Sequence, residues 1–70
     1  MTKYWMGIVE QDDFHESIID EFYDAATIQG PWAIMTPGNW RRYRRTEKLG
    51  VGHGQHYKKN SVGRFEKIEG

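Results

Sequence analysis

The pattern of hydrophobic and polar positions divides this chain of 70 residues into short elements. Residues 3–9 are aromatic and β-branched and end in a polar cluster, which predicts an N-terminal strand or extended arm. Pro37 and Gly38 interrupt the chain, and the segment 39–48 that follows has the narrow apolar stripe of a short helix. Residues 55–68 read as a C-terminal hairpin around the turn sequence Asn-Ser-Val-Gly.

Residues 13–26 fit two patterns that lead to different folds. Phe14, Ile18, Phe22 and Ala26 recur at helical spacing behind an acidic N-cap, which predicts an amphipathic helix. The second half of the same segment runs into a Gly-Pro turn and the apolar stretch Trp-Ala-Ile-Met, which predicts a hairpin over residues 20–35. Length and periodicity alone favour the helix slightly.

The composition restricts the kinds of chemistry that the chain can perform. Its length predicts a single small domain over residues 1–70, and its lack of cysteine excludes disulfides, thiolate catalysis and cysteine-bound metal clusters. The longest apolar stretches are too short to span a membrane. We therefore expect a cytoplasmic protein without a membrane partner.

Charge is distributed unevenly although the formal net charge is zero. Residues 1–35 contain one basic and seven acidic side chains, whereas residues 36–70 contain nine basic and three acidic side chains. The two halves therefore carry about −6 and +6. This asymmetry predicts either a surface that meets a polyanion or internal neutralisation when the halves fold together.

The densest functional pattern is a basic aromatic segment in the second half. Guanidinium groups pair with phosphates, and aromatic rings stack on unpaired bases, so the segment predicts a nucleic-acid contact to DNA or RNA. On a helix, Arg41, Arg44, Arg45 and Lys48 would share one face. The alternative is that the aromatic residues belong to the core and the arginines pair with the acids of the first half. The predicted contact residues are Trp40, Arg41, Arg42, Tyr43, Arg44, Arg45 and Lys48.

Histidine is the remaining candidate for metal chemistry. His53 and His56 are three residues apart, and His15 could supply a third ligand, but the glycine-rich loop around His53 favours solvent-exposed rings. No catalytic triad or activated nucleophile can be identified, so the sequence predicts neither an enzyme nor a cofactor.

Several short motifs occur in an order that resembles a known set of proteins. They are the strand-like Glu21–Asp24, the turn Gly30–Ala33, the glycine-rich element Gly50–Tyr57 and the aromatic-basic strand Arg64–Lys67. In this order they resemble a set of small uncharacterised proteins encoded by tailed bacteriophages, in which a Met-Cys-x-x-Cys or Met-Cys-x-x-His knuckle opens a short helix.

The chain departs from that pattern at the knuckle, where Thr36 and Asn39 occupy the positions of the metal ligands. The resemblance implies an α+β fold, namely a small treble-clef or zinc-ribbon-like domain without metal. It also favours strand over helix after about residue 19. The resulting functional prediction is a phage-encoded nucleic-acid-binding module. The alternative is a factor that binds a host or phage protein complex, and a homodimer through a hairpin edge is compatible with both.

Overall fold

The structure is a computed structural model that describes residues 3–70. Its elements are the strands β1 (Glu21–Ala26) and β2 (Trp32–Met35), the helix α1 (Pro37–Tyr43), and the strands β3 (Gly54–Lys59) and β4 (Phe65–Glu69). The strands form one antiparallel sheet in the order β2-β1-β3-β4. The α+β class predicted from the sequence is confirmed, with a four-stranded sheet and one short helix.

The segment that fitted both helix and strand contains a central strand. β1 pairs with β2 on one side and with β3 on the other. A central strand that packs against other residues on both faces of the sheet does not show a strict alternation of apolar and polar side chains. Phe22, Ala25 and Ala26 are all buried in β1, and their spacing imitates the period of a helix.

Each face of the sheet carries its own hydrophobic cluster. Phe22 and Tyr57 are paired across β1 and β3 and stack with ring centroids 5.1 Å apart. The next residue of β1, Tyr23, points to the opposite face and stacks on Trp40 of α1. Ile18, Phe22, Tyr57 and Phe65 form the first cluster, with Trp5 packed against it, and Ala25, Met35 and Trp40 form the second.

The N-terminal segment lies along the outer edge of β4. Trp5 N donates to the carbonyl of Phe65 over 2.9 Å, and Lys67 N donates to the carbonyl of Lys3 over 2.7 Å. Tyr4 is the residue of this segment that forms a β-bridge, with Glu66. The predicted strand over 3–9 is therefore an extended arm with local strand pairing near its start.

The free edge of β2 is partly covered by the loop that precedes β1. Asp13 N donates to the carbonyl of Ile34 over 2.9 Å, and Ile34 N donates to Asp13 Oδ2 over 2.8 Å. Segments from the first half of the chain thus pair with both outer strands of the sheet. A homodimer through a hairpin edge would have to displace these contacts.

The helix is shorter than predicted and begins earlier. α1 starts with Pro37 at a position where proline is tolerated, and it ends at Tyr43 instead of residue 48. It ends there because the following backbone pairs with the end of β1: Ile28 N donates to the carbonyl of Tyr43 over 2.8 Å, and Arg44 forms a bridge with Thr27. The prediction that Arg41, Arg44, Arg45 and Lys48 share one helical face is therefore wrong.

The C-terminal hairpin forms where it was predicted, with strands bounded by residues 54–59 and 65–69. Asn60 organises its turn, since Asn60 Oδ1 accepts hydrogen bonds from the backbone N–H of Val62 and Arg64. Gly63 has a φ of 87° there, a conformation that glycine adopts without strain. No helix within residues 3–70 has the length and apolar character needed to cross a membrane.

Candidate nucleic-acid interface

The buried carboxylate of Asp12 connects the loop before β1 to the start of α1. Its Oδ1 accepts hydrogen bonds from the backbone N–H of Phe14 and Glu16, each over 2.9 Å. Its Oδ2 accepts hydrogen bonds from Thr36 N and Asn39 Nδ2, each over 2.8 Å. Residues 36 and 39 therefore converge on one carboxylate oxygen.

The environment of Asp12 favours its ionised form. Burial raises the pKa of this carboxyl, but the hydrogen bonds from Asn39, Thr36, Glu16 and Phe14 together outweigh burial and lower the pKa below its ordinary value of 3.8. Asp12 is thus a charged anchor between two segments that are 24 residues apart in sequence.

Four side chains stack on the helix-bearing face of the sheet. Tyr23 lies between His56 and Trp40, with ring centroids 4.0 Å from each, and the guanidinium of Arg44 lies 4.6 Å above the Trp40 ring. Trp40 is only 8% exposed. Trp40 is therefore a core residue, as the alternative interpretation expected, and its ring is not accessible to a base.

The other cations of the basic segment are exposed. Arg41, Arg42, Arg45 and Lys48 have exposed side chains, and within residues 3–70 none of them has a carboxylate oxygen within 4.0 Å. Arg44 is half-buried and lies 3.9 Å from the exposed carboxylate of Glu47. Most of the positive charge of the segment therefore remains available to an external anion.

Several acids of the first half are engaged elsewhere. Asp12 and Asp13 bond to the backbone around β2 and α1, and Glu21 Oε1 lies 3.0 Å from Nε2 of His56. The two halves of opposite charge do not neutralise each other through ion pairs between the N-terminal acids and the arginines, as far as residues 3–70 show.

An aromatic side chain outside the predicted segment lies against it. The ring of Phe14 stacks on Tyr43, with centroids 4.4 Å apart and an interplanar angle of 8°. Tyr43 is half-buried, and the guanidinium of Arg42 lies 6.0 Å from its ring centroid. The sequence predicted Phe14 as part of a helical stripe and not as an interface residue; Asp12, two residues before it, is the local signal that could have indicated a turn here, because aspartate accepts hydrogen bonds from the backbone two residues on.

The three histidines have different surroundings in the fold. His56 is bonded to Glu21 and stacked on Tyr23, whereas His15 is exposed in a turn with a φ of 66°. His53 lies in the glycine-rich loop before β3. No group of three or more potential metal ligands occurs in the described part of the chain.

A cleft of about 440 Å³ opens between the N-terminal arm and the C-terminal hairpin. Trp5 and Phe65 line it together with the cations Lys59 and Arg64. Met6 and Ile8 lie in its arm-side wall and are 83% and 90% exposed.

Comparison with known proteins does not add a family to this description. The chain matches no protein-family model, no curated protein and no solved structure.

Proposed function

We propose that this protein is a nucleic-acid-binding module whose contact surface comprises Arg41, Arg42, Arg45 and Lys48. The observation that carries the proposal is the exposure of these cations without carboxylate partners. Phosphate contacts by arginine and lysine supply affinity with little dependence on base sequence, and they make affinity strongly dependent on salt. Trp40 and Arg44, which the sequence also suggested, serve instead in the internal stack.

A titration with labelled oligonucleotides tests this function. We expect the wild-type protein to bind single-stranded DNA or RNA at low salt and to lose affinity as salt rises, with a log-log slope of about −0.7 for each phosphate contacted. Arg41→Glu combined with Arg42→Glu should weaken binding strongly. The matched control is Lys58→Glu combined with Lys59→Glu, which changes net charge equally on β3.

Absence of binding to single- or double-stranded DNA and RNA at low salt would refute the proposed function. Equal losses in the two double variants would refute the location of the surface, since net charge alone would then account for the effect.

We also propose that the scaffold is a metal-free relative of the treble-clef or zinc-ribbon domains of phage proteins. The support is the convergence of Thr36 N and Asn39 Nδ2 on Asp12 Oδ2, since a carboxylate thereby joins the two positions where the knuckle pattern places ligands. Metal analysis and thermal melting with and without chelator test it. We expect no bound metal and an unchanged melting temperature. Unfolding on addition of chelator would contradict the proposal and would indicate His15, His53 and His56 as candidate metal ligands.

The cleft favours a second candidate function, the binding of a host or phage protein. Met6 and Ile8 expose apolar side chains beside Lys59 and Arg64, so the cleft suits an extended segment with apolar and acidic side chains. A pulldown from host lysate with nuclease treatment tests this candidate. A stoichiometric partner lost in Met6→Asp and Ile8→Asp variants supports it, and retention of that partner by both variants contradicts it.

A further inference from the structure

Phe14 presents an aromatic surface at the edge of the basic segment. One face of its ring is covered by Tyr43, and the side chain as a whole is 38% exposed. It belongs to neither of the two buried clusters. Phe14 therefore lies at the margin of the second cluster, on the outer side of Tyr43, which packs against that cluster.

The turn that carries Phe14 is held in place from both sides. Phe14 N donates to Asp12 Oδ1, and the other oxygen of the same carboxylate is bonded to Thr36 and Asn39 at the start of α1. The adjacent Asp13 directs its carboxylate to Ile34 N on β2. The turn that carries the ring is thus positioned relative to the helix by four hydrogen bonds, so little conformational entropy is lost when a ligand stacks on the ring.

The charges around the ring favour an anionic group on one side only. Arg42 lies near the Tyr43 ring on which Phe14 stacks, and its guanidinium is exposed. Asp13 and Glu16 are exposed acids of the same turn, and together with the ionised Asp12 they oppose binding of a phosphate on their own side. A phosphate is therefore favoured on the helix side of the ring, where Arg42 lies.

We propose that Phe14 is a stacking platform for an unpaired base and that the ligand of this surface is single-stranded nucleic acid. This inference rests on the proposed function and specifies its substrate class. In a duplex the faces of the bases are covered by their neighbours, whereas a single strand can place a base on an exposed ring while its phosphate contacts a nearby arginine.

Variants at position 14 test the platform. Base stacking contributes about 1–3 kcal/mol per base, so Phe14→Ala should weaken binding to a single-stranded oligonucleotide by about 5- to 150-fold. Phe14→Leu keeps apolar bulk without an aromatic face and should also weaken binding, whereas Phe14→Trp should retain it. Affinity for a duplex of the same sequence should change less than affinity for the single strand.

The outcomes separate this inference from the function on which it rests. Loss in the alanine and leucine variants with retention in the tryptophan variant supports the platform. If Phe14→Ala binds the single strand like wild type while the Arg41 and Arg42 double variant does not, the platform is refuted and the nucleic-acid function stands. If the wild-type protein binds no oligonucleotide, the function fails and the platform with it. Circular dichroism spectra of the variants exclude loss of folding as the cause.

Discussion

Replacing Asp12 by asparagine tests whether one carboxylate joins the two parts of the candidate interface. Asparagine has nearly the same shape but one acceptor oxygen, and its NH₂ group would face either the N–H groups of Phe14 and Glu16 or those of Thr36 and Asn39. Two donors would therefore lose their acceptor at a residue that is only 4% exposed.

The expected loss is large for a domain of this size. Each buried donor left without a partner costs about 1–3 kcal/mol, so two such donors should cost about 3 kcal/mol after relaxation. A chain of this length has a free energy of unfolding of about 4–10 kcal/mol. At about 4–8 °C per kcal/mol, Asp12→Asn should lower the melting temperature by about 12–24 °C.

Thermal unfolding followed by circular dichroism measures this effect. Asp20→Asn is the matched control, because Asp20 is exposed and its side chain makes no hydrogen bond within residues 3–70; exposed changes of this kind stay within about 0.5 kcal/mol. A fall of less than about 4 °C for Asp12→Asn would refute the reasoning, because it corresponds to less than about 1 kcal/mol.

The pH dependence of the same variant gives an independent check. The pKa of Asp12 is lower in the folded protein than its ordinary value of 3.8, so the folded state binds fewer protons at this site. The stability that the carboxylate contributes is therefore fully present above pH 3.8 and is lost as the pH falls through the lowered pKa. The difference in melting temperature between wild type and Asp12→Asn should shrink over that range, and a constant difference would contradict the assignment.

Three further changes have defined outcomes. Gly54→Ala would bring its Cβ into steric overlap with the Cβ of the buried Ala25, so chemical denaturation should show a loss of about 1–3 kcal/mol. In Gly38→Ala, a change within α1, the added Cβ has no atom within 4 Å, so the variant should instead be more stable by up to about 1 kcal/mol. A loss of stability in this variant would contradict the helix bounds. Asp24→Asn should raise the melting temperature at pH 7, because burial and then the charge of Asp13 raise the pKa of Asp24, and this gain should disappear as the pH falls below 3.8. An unchanged melting temperature at both pH values would contradict this account of Asp24.

The sequence correctly predicted those parts of the fold whose conformation depends on residues close together in the chain. Gly30 and Pro31 indicated the first turn, and Asn60 and Gly63 indicated the second, because the required backbone conformations depend on those residues themselves. The end of the helix was not predictable in this way. It depends on hydrogen bonds between the backbone after residue 43 and residues 26–28, which are distant in sequence.

The candidate site likewise has a part that the local sequence predicted and a part that depends on residues distant in sequence. Composition identified the basic aromatic segment, but it could not show which of its side chains are free. Trp40 and Arg44 are taken up by the stack on Tyr23, a residue of β1, and only the register of β1 with β3 brings His56 to the other side of that ring. Phe14 joins the segment through Asp12, a connection that no local pattern encodes.

The zero net charge of the chain is therefore weak evidence about its surface. Asp12, Asp13 and Glu21 keep their negative charge in the fold, but their hydrogen bonds to backbone amides, a side-chain amide or a histidine fix the places where that charge lies. The exposed Arg41 and Arg42 have no such partners within residues 3–70. A ligand that approaches within about 10 Å at 0.1 M salt responds to the local distribution of charge more than to its sum. An electroneutral chain can thus present a basic surface at Arg41 and Arg42, because its positive and negative side chains lie at different places in the fold.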